Sequence, residues 1–187
     1  LNAMLASAKT IKSDRDIQSA INRFNDGSLD YRGLEGAISG KAGTNQLLQE
    51  KTQKALTDAK TVDNTRQMNK MYAQYQNDGN INGYLNGLNT LKNTQTSPTE
   101  VEKITGAIQN GQAMQGALND QRVYADWMAG GDAGKAMLYF NASVASAKTP
   151  EDAQNASKFL QEIRGKANAS AQGAVSAQGT REAAEVK

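Results

Sequence analysis

The sequence contains neither cysteine nor histidine, and these two absences exclude most common site chemistries. Disulfides, Cys/His zinc sites, serine–histidine triads and cysteine–histidine pairs all require one of these residues. Proline occurs twice, aromatic residues make up 5%, and no stretch approaches the roughly 18 apolar residues of a membrane span. An enzyme with this composition would depend on carboxylates. We therefore predict no catalytic, cofactor-binding or metal-binding residues and no stable membrane span.

Charged residues are scattered without runs of one sign, and the net charge is small. The formal net charge is +2, from 21 basic and 19 acidic residues, which indicates no basic face for nucleic acid. One stretch concentrates basic residues at Lys51, Lys54, Lys60, Arg66 and Lys70. Acidic residues are interleaved with them, which is typical of a solvated face of mixed charge. The mean hydropathy of −0.66 leaves disorder as the rival of an ordered helical protein.

What the sequence does contain is a recurring junction. An aromatic residue followed by a glycine turn occurs in "FNDGS", "YQNDGN" and "WMAGGD", and the glycines Gly27, Gly79 and Gly131 are 52 residues apart. Candidate helix caps keep nearly the same step, at Thr44, Ser97 and Thr149, and proline follows the last two. Ser97 and Glu100 also have capping-box spacing. The sequence therefore predicts a repeat of about 52 residues.

Each repeat is predicted to hold a short helix followed by a long one. Apolar residues at intervals of three and four predict long helices near residues 45–76, 98–128 and 150–165 or beyond. Short helices are predicted near residues 28–39, 80–92 and 132–147. The Asp-Gly of "YQNDGNINGYLNGL" is typical of a β-hairpin, but strand-type alternation is missing, so we interpret it as a helix–helix junction. The predicted fold is all-α, an elongated, α-solenoid-like array of helical hairpins.

We expect one such repeat region over residues 1–187, with units at residues 1–27, 28–79, 80–131 and 132–187. The first unit is expected to be truncated, with a helix of half the usual length from about Ser13 to Phe24. The glycine-containing tail after Arg164 is compatible with a helix or with a frayed end. The junctions "GDAGKAMLYFNAS" and "YQNDGNINGYLNGL" resemble those of tetratricopeptide repeats, which recur every 34 residues.

Few residues suggest chemistry. Glu35, Glu100 and Glu102 are carboxylates near apolar runs, and a glycosidase needs two carboxylates across a cleft. Acids at helix starts also stabilise the helix dipole, which is the interpretation we favour for Glu100. "GLEGAISGKAGTN" lacks the order of a phosphate-binding loop and is interpreted as an interhelix loop.

The stretch "IQNGQAMQGALND" carries one charge and many small or amide side chains, which favours assembly between chains over a ligand pocket. The candidate interaction seam comprises Val101, Ile104, Ile108, Met114 and Leu118. We expect a neighbouring repeat and another chain to share in covering it. Lys51, Lys54 and Asp58 are expected to face solvent or a wide lumen.

In composition and helix layout, the chain resembles the internal virion (ejection or core) proteins of short-tailed bacteriophages. The passages that carry the resemblance are "NDGNINGYLNGLNTLKNTQTSPTEVEKITGAIQNGQ" and "GAVSAQGTREAAEVK". The resemblance implies a non-enzymatic subunit of a ring or tube that helps to deliver DNA. It also implies location in the virion, partnership with copies of itself and other virion proteins, and only indirect contact with DNA.

Two alternatives remain open. One is a solenoid adaptor that binds a peptide or partner protein on a concave face. The other is a filament or translocator subunit of a bacterial secretion system. Either would place the chain in the bacterial cytoplasm or outside the cell.

Overall fold

A computed structural model describes residues 2–185, with side chains described for residues 4–173. Over this range the fold is all-α and contains no strand. The helices are α1 (Asn2–Asn25), α2 (Tyr31–Ile38), α3 (Gln46–Asp78), α4 (Ile81–Asn93), α5 (Pro98–Met128), α6 (Ala133–Ser146) and α7 (Pro150–Glu185). The all-α prediction is confirmed, and Asp78-Gly79 separates two helices instead of forming a hairpin.

Short and long helices alternate from α2 onward, as predicted, and the predicted bounds agree to within three residues. The long helices α3, α5 and α7 begin at Gln46, Pro98 and Pro150, which are 52 residues apart. The tail after Arg164 is part of α7, which continues to Glu185. How successive hairpins stack stays a prediction.

The N-terminal region differs from the prediction. A helix of half length was expected from about Ser13, whereas α1 runs without interruption from Asn2 to Asn25. No proline or glycine occurs between these residues. Nothing in the local sequence therefore stops the helix from extending toward the N-terminus.

Glycines shape the junctions at two kinds of position. Gly79 follows α3 with φ of 67°, in the left-handed region, and its N–H donates to the carbonyl of Tyr75. At the third junction the left-handed residue is Gly130, with φ of 103°. A Cβ at Gly131 would lie 2.8 Å from the backbone oxygen of Asp126. Gly131 therefore permits a close backbone approach that a side chain would obstruct.

The capping residues match the sequence only in part. Asp30, Asn45, Asn80 and Asp132 cap α2, α3, α4 and α6 through their side-chain oxygens. Thr149 Oγ1 accepts a hydrogen bond from the N–H of Asp152, as predicted. The cap of α3 is Asn45, not Thr44. Asn suits this position because its oxygen reaches the third helical N–H.

The residues form two compact units, unit 1 (Leu1–Ile108) and unit 2 (Gln109–Lys187). The predicted divisions lay at glycine junctions, whereas this boundary falls inside α5. The N-terminal half of α5 supplies Ile104 and Ile108 to a core with α4. Its C-terminal half contributes Trp127 to a core with α6 and α7. One long helix therefore serves two cores.

Each unit has a core between consecutive helices. Unit 1 contains two clusters, one centred on Ile17, Phe24 and Leu34, the other on Leu88 and Ile104. The core of unit 2 is built around Phe140, Leu160 and Ile163. Core residues of α4 and α5 have buried counterparts 52 positions later in α6 and α7; the pairs are Leu88 and Phe140, Ile104 and Ala156, and Ile108 and Leu160.

Candidate functional site

The carboxylates singled out from the sequence lie in different environments. Glu35 is exposed on α2 and Glu102 is exposed on α5. Glu100 is buried and accepts a hydrogen bond from Asn64. One buried and two exposed carboxylates do not form the opposed pair that a glycosidase requires.

Glu100 instead belongs to a buried polar cluster in unit 1. Asn64, fully buried on α3, donates from Nδ2 to Oε1 of Gln95 at 2.8 Å and to Oε2 of Glu100 at 3.0 Å. Gln95 Nε2 donates in turn to the carbonyl of Leu91 at the end of α4. The cluster joins α3, the α4–α5 loop and the first turn of α5. We call Asn64, Gln95 and Glu100 the amide lock.

The amide lock replaces the predicted capping box. Glu100 was expected to serve the N-terminus of α5 together with Ser97. Its carboxylate points inward because Asn64 offers a donor in a buried site, where an unpaired charge would be costly. Within the described residues, the Ser97 side chain makes no capping hydrogen bond.

Unit 2 contains an open groove of about 850 Å³. One wall is α5 from Gln109 to Gln121, and the other consists of the end of α6, the α6–α7 loop and the first turns of α7. Its lining mixes amides and hydroxyls with small side chains and one phenyl ring, that of Phe159. This volume falls in the range of small-molecule and cofactor sites.

The groove occupies the positions that correspond to the amide lock. A shift of 52 residues carries Asn64 to Gly116, Gln95 to Ala147 and Glu100 to Asp152. All three later residues line the groove. A Cβ at Gly116 would meet no other atom within 4 Å. Two truncated side chains therefore leave unit 2 open where amides fill unit 1.

At one side of the groove, Asp120 accepts hydrogen bonds from two residues of α6. The hydroxyl of Tyr139 lies 3.0 Å from Asp120 Oδ1, and that of Ser143 lies 3.5 Å from the same oxygen. Partial burial, followed by the hydrogen bond to Asp120, raises the pKa of Tyr139 above its ordinary value of 10.0. Tyr139 is therefore a neutral donor at physiological pH and holds α6 against α5.

The aromatic residues of the first and third junctions, Phe24 and Trp127, pack into the hydrophobic clusters of their units. The Arg66 guanidinium lies 4.8 Å from the ring centroid of Phe24, and it donates to the Phe24 carbonyl at the end of α1. Lys166 Nζ lies 5.3 Å from the centroid of Trp127 near the end of α5. A cation near a helix C-terminus is favourable because carbonyl dipoles accumulate there.

The basic stretch of α3 is largely engaged within unit 1. Lys51 pairs with Asp14 at 2.6 Å, and Lys60 lies 4.9 Å from the ring centroid of Tyr31. Lys54 and Asp58 are exposed and lie 4.0 Å apart. The expectation of a solvated face holds for Lys54 and Asp58, while Lys51 is half-buried by its ion pair.

The candidate seam is divided by the structure. Ile104 and Ile108 are buried in unit 1, whereas Val101 and Met114 are half-buried. Leu118 is 43% exposed. Ile104 and Ile108 pack against α4 of the same predicted repeat, and covering of the seam by another chain stays a prediction.

Sequence reasoning missed both the amide lock and the groove. No groove was predicted at "IQNGQAMQGALND", although much of this stretch lines it, and the role of the stretch in assembly stays a prediction. A signal was present, because the 52-residue step aligns Asn64 with Gly116 and Gln95 with Ala147. Such a replacement of amides by small side chains indicates that a position filled in unit 1 is open in unit 2.

No helix in the described part of the chain is long and apolar enough to cross a membrane. Over the same residues, no group of three or more acidic side chains is placed to hold a metal ion. Comparison with known protein families, curated proteins and solved structures found no significant match.

Proposed function

We propose that this chain is a non-enzymatic assembly subunit that associates with copies of itself. One observation carries the proposal: the N-terminal half of α1 presents apolar side chains that the described residues leave uncovered. Met4 is 79% exposed and Ile11 is 55% exposed. Single exposed apolar residues are ordinary, but Met4, Ala8 and Ile11 recur at helical spacing and form one stripe.

The more specific form of the proposal is an internal virion protein of a short-tailed bacteriophage. Its partners are copies of the same chain and other virion proteins in a ring or tube, and its contact with DNA is indirect. The sequence resemblance and the all-α architecture of long helices support this assignment. The engagement of the α3 basic residues within unit 1 also favours indirect contact with DNA.

The second candidate is an adaptor that binds a peptide or partner protein. The open groove of unit 2 favours it, because peptide and helical segments of partner proteins commonly dock in grooves. A filament or translocator subunit of a secretion system is the third candidate. It shares the helical, cysteine-free character of the chain.

Native mass spectrometry of the full chain at micromolar concentration distinguishes these functions. An internal virion subunit forms closed rings of defined number, whereas a filament subunit polymerises without closure. An adaptor stays monomeric. A strict monomer under these conditions overturns the assembly proposal.

A further inference from the structure

The groove of unit 2 is left open by the described residues of the chain. At the corresponding positions of unit 1, Asn64 fills the space and bonds to two partners. In unit 2 the small residues Gly116 and Ala147 leave polar and apolar walls exposed over about 850 Å³. An amphipathic helix that lays its apolar face into a groove is a recurring mode of recognition between proteins.

The N-terminal half of α1 is an exposed segment that needs a concave partner. Its apolar stripe is distinct from the face that α1 presents to its own core. Ile11 and the buried Ile17 are six residues apart, which places them about 120° apart around the helix. Leu5, adjacent to the stripe, is also exposed, by 53%. Burying this stripe requires contact with a surface other than the core around Ile17.

The N-terminal half of α1 and the groove of unit 2 are similar in length and complementary in side-chain size. Residues 2–12 form a helical segment of about 16 Å, and the α5 wall from Gln109 to Gln121 is about 19 Å long. The wall offers Ala113 and Ala117, where small side chains allow another helix to approach closely, and Phe159 lies opposite.

Charge is compatible with this pairing. Residues 2–13 carry Lys9 and Lys12 and no acidic side chain. The groove is neutral overall, with two carboxylates and two ammonium groups at Asp120, Asp152, Lys148 and Lys158. Its carboxylate, amide and hydroxyl oxygens provide acceptors for the two lysines of the segment.

We propose that the groove of unit 2 binds the N-terminal half of α1 from a second copy of this chain. The inference rests on the proposed assembly function and names the surfaces that perform it. The contact is heterologous, because a segment of unit 1 meets unit 2 of the next copy. Repetition of such a contact generates a ring if the rotation closes and a filament if it does not.

The absence of native cysteine permits a direct test. Full-length Ile11→Cys and Ala117→Cys variants are mixed under mild oxidation, and the disulfide-linked heterodimer is quantified by mass. We expect at least tenfold more heterodimer than from the control pair Leu47→Cys and Ala117→Cys, since Leu47 is exposed by 77% but lies outside the stripe. Equal yields from the two pairs would overturn the proposal.

Two further variants identify the surfaces separately. Ile11→Asp should lower the oligomer fraction at least tenfold without loss of helicity, whereas Leu47→Asp should leave it unchanged. Gly116→Asn combined with Ala147→Gln rebuilds the lock residues in unit 2, and it should also abolish assembly. If closing the groove abolishes assembly while Ile11→Asp does not, another segment occupies the groove and the proposal fails.

The outcomes also distinguish this inference from the function on which it rests. A wild-type chain that is monomeric at micromolar concentration removes the assembly function itself. A wild-type oligomer that persists in both the Ile11→Asp and the groove-closing variants keeps the assembly function and refutes only the assigned surfaces.

Discussion

Replacement of Asn64 by alanine tests the amide lock, the most deeply buried polar feature described in unit 1. The change removes the donor to Gln95 and the donor to the Glu100 carboxylate. The Glu100 acceptor then remains buried with one partner fewer, and the acceptor of Gln95 remains half-buried. The loss is severe because a buried acceptor without its partner cannot recover a hydrogen bond from solvent.

The expected cost follows from these contacts. A neutral hydrogen bond contributes about 1 kcal/mol and one to a charged group about 1.5–3 kcal/mol. Alanine has a higher helix propensity than asparagine, which returns roughly 0.5 kcal/mol. The substitution also removes Asn64 Oδ1, which is buried without a partner among the described residues. We expect a net loss of about 2–3 kcal/mol, or a decrease in Tm of about 5–10 °C.

The assay is urea and thermal unfolding followed by circular dichroism. The matched control is Gly116→Ala, the substitution 52 residues later, where a Cβ meets open space. Replacement of a helical glycine by alanine should stabilise the protein by up to about 1 kcal/mol. Equal changes in stability at the two positions, or a loss below about 0.5 kcal/mol for Asn64→Ala, would refute the amide lock.

Three further predictions concern the junctions and pH. Gly131→Ala should destabilise the protein by more than about 1 kcal/mol, because the added Cβ would meet a backbone oxygen. The control Gly165→Ala, where a Cβ meets open space, should stabilise the protein. Urea denaturation of the two variants measures both changes. Asp132→Ala should cost about 1 kcal/mol by removing a cap, and Ser97→Ala should cost less than half as much in the same assay. A hydrogen bond from the hydroxyl of Tyr124 lowers the pKa of Glu162 below its ordinary value of 4.5, and the nearby Lys166 lowers it further. The ionised Glu162 carboxylate therefore stabilises the folded state above pH 4.5, and this stabilisation is lost as the pH falls through the lowered pKa. Glu162→Gln should flatten this part of the stability–pH curve, and an unchanged curve would contradict the assigned hydrogen bond.

The helices were predictable because local signals agree with one another. Glycine junctions, apolar spacing and the two prolines place the bounds of α2 to α6 within three residues. Pro98 and Pro150 fix the starts of α5 and α7, since proline suits the first helical position. The extent of α1 was missed because the first unit was expected to be truncated, although nothing in the local sequence stops the helix before Ser13.

The candidate site was less predictable because it depends on contacts between distant residues. Asn64 and Glu100 are 36 residues apart, and their spacing contains no signal of burial. Glu100 also satisfies the pattern of a helix-start acid, so the local explanation seemed sufficient. The groove is open because Gly116 and Ala147 lack the long side chains of their counterparts in unit 1. The absence of a side chain is informative only when the two units are compared.

Cryo-electron microscopy of the assembled chain tests the proposed contact between copies. We expect a closed ring or tube in which the groove of unit 2 in each copy is filled by the N-terminal half of α1 from its neighbour. Ile11 should lie between α5 and α7 of the adjacent copy. An assembly in which this groove faces solvent and the stripe of Met4, Ala8 and Ile11 remains uncovered would contradict the account.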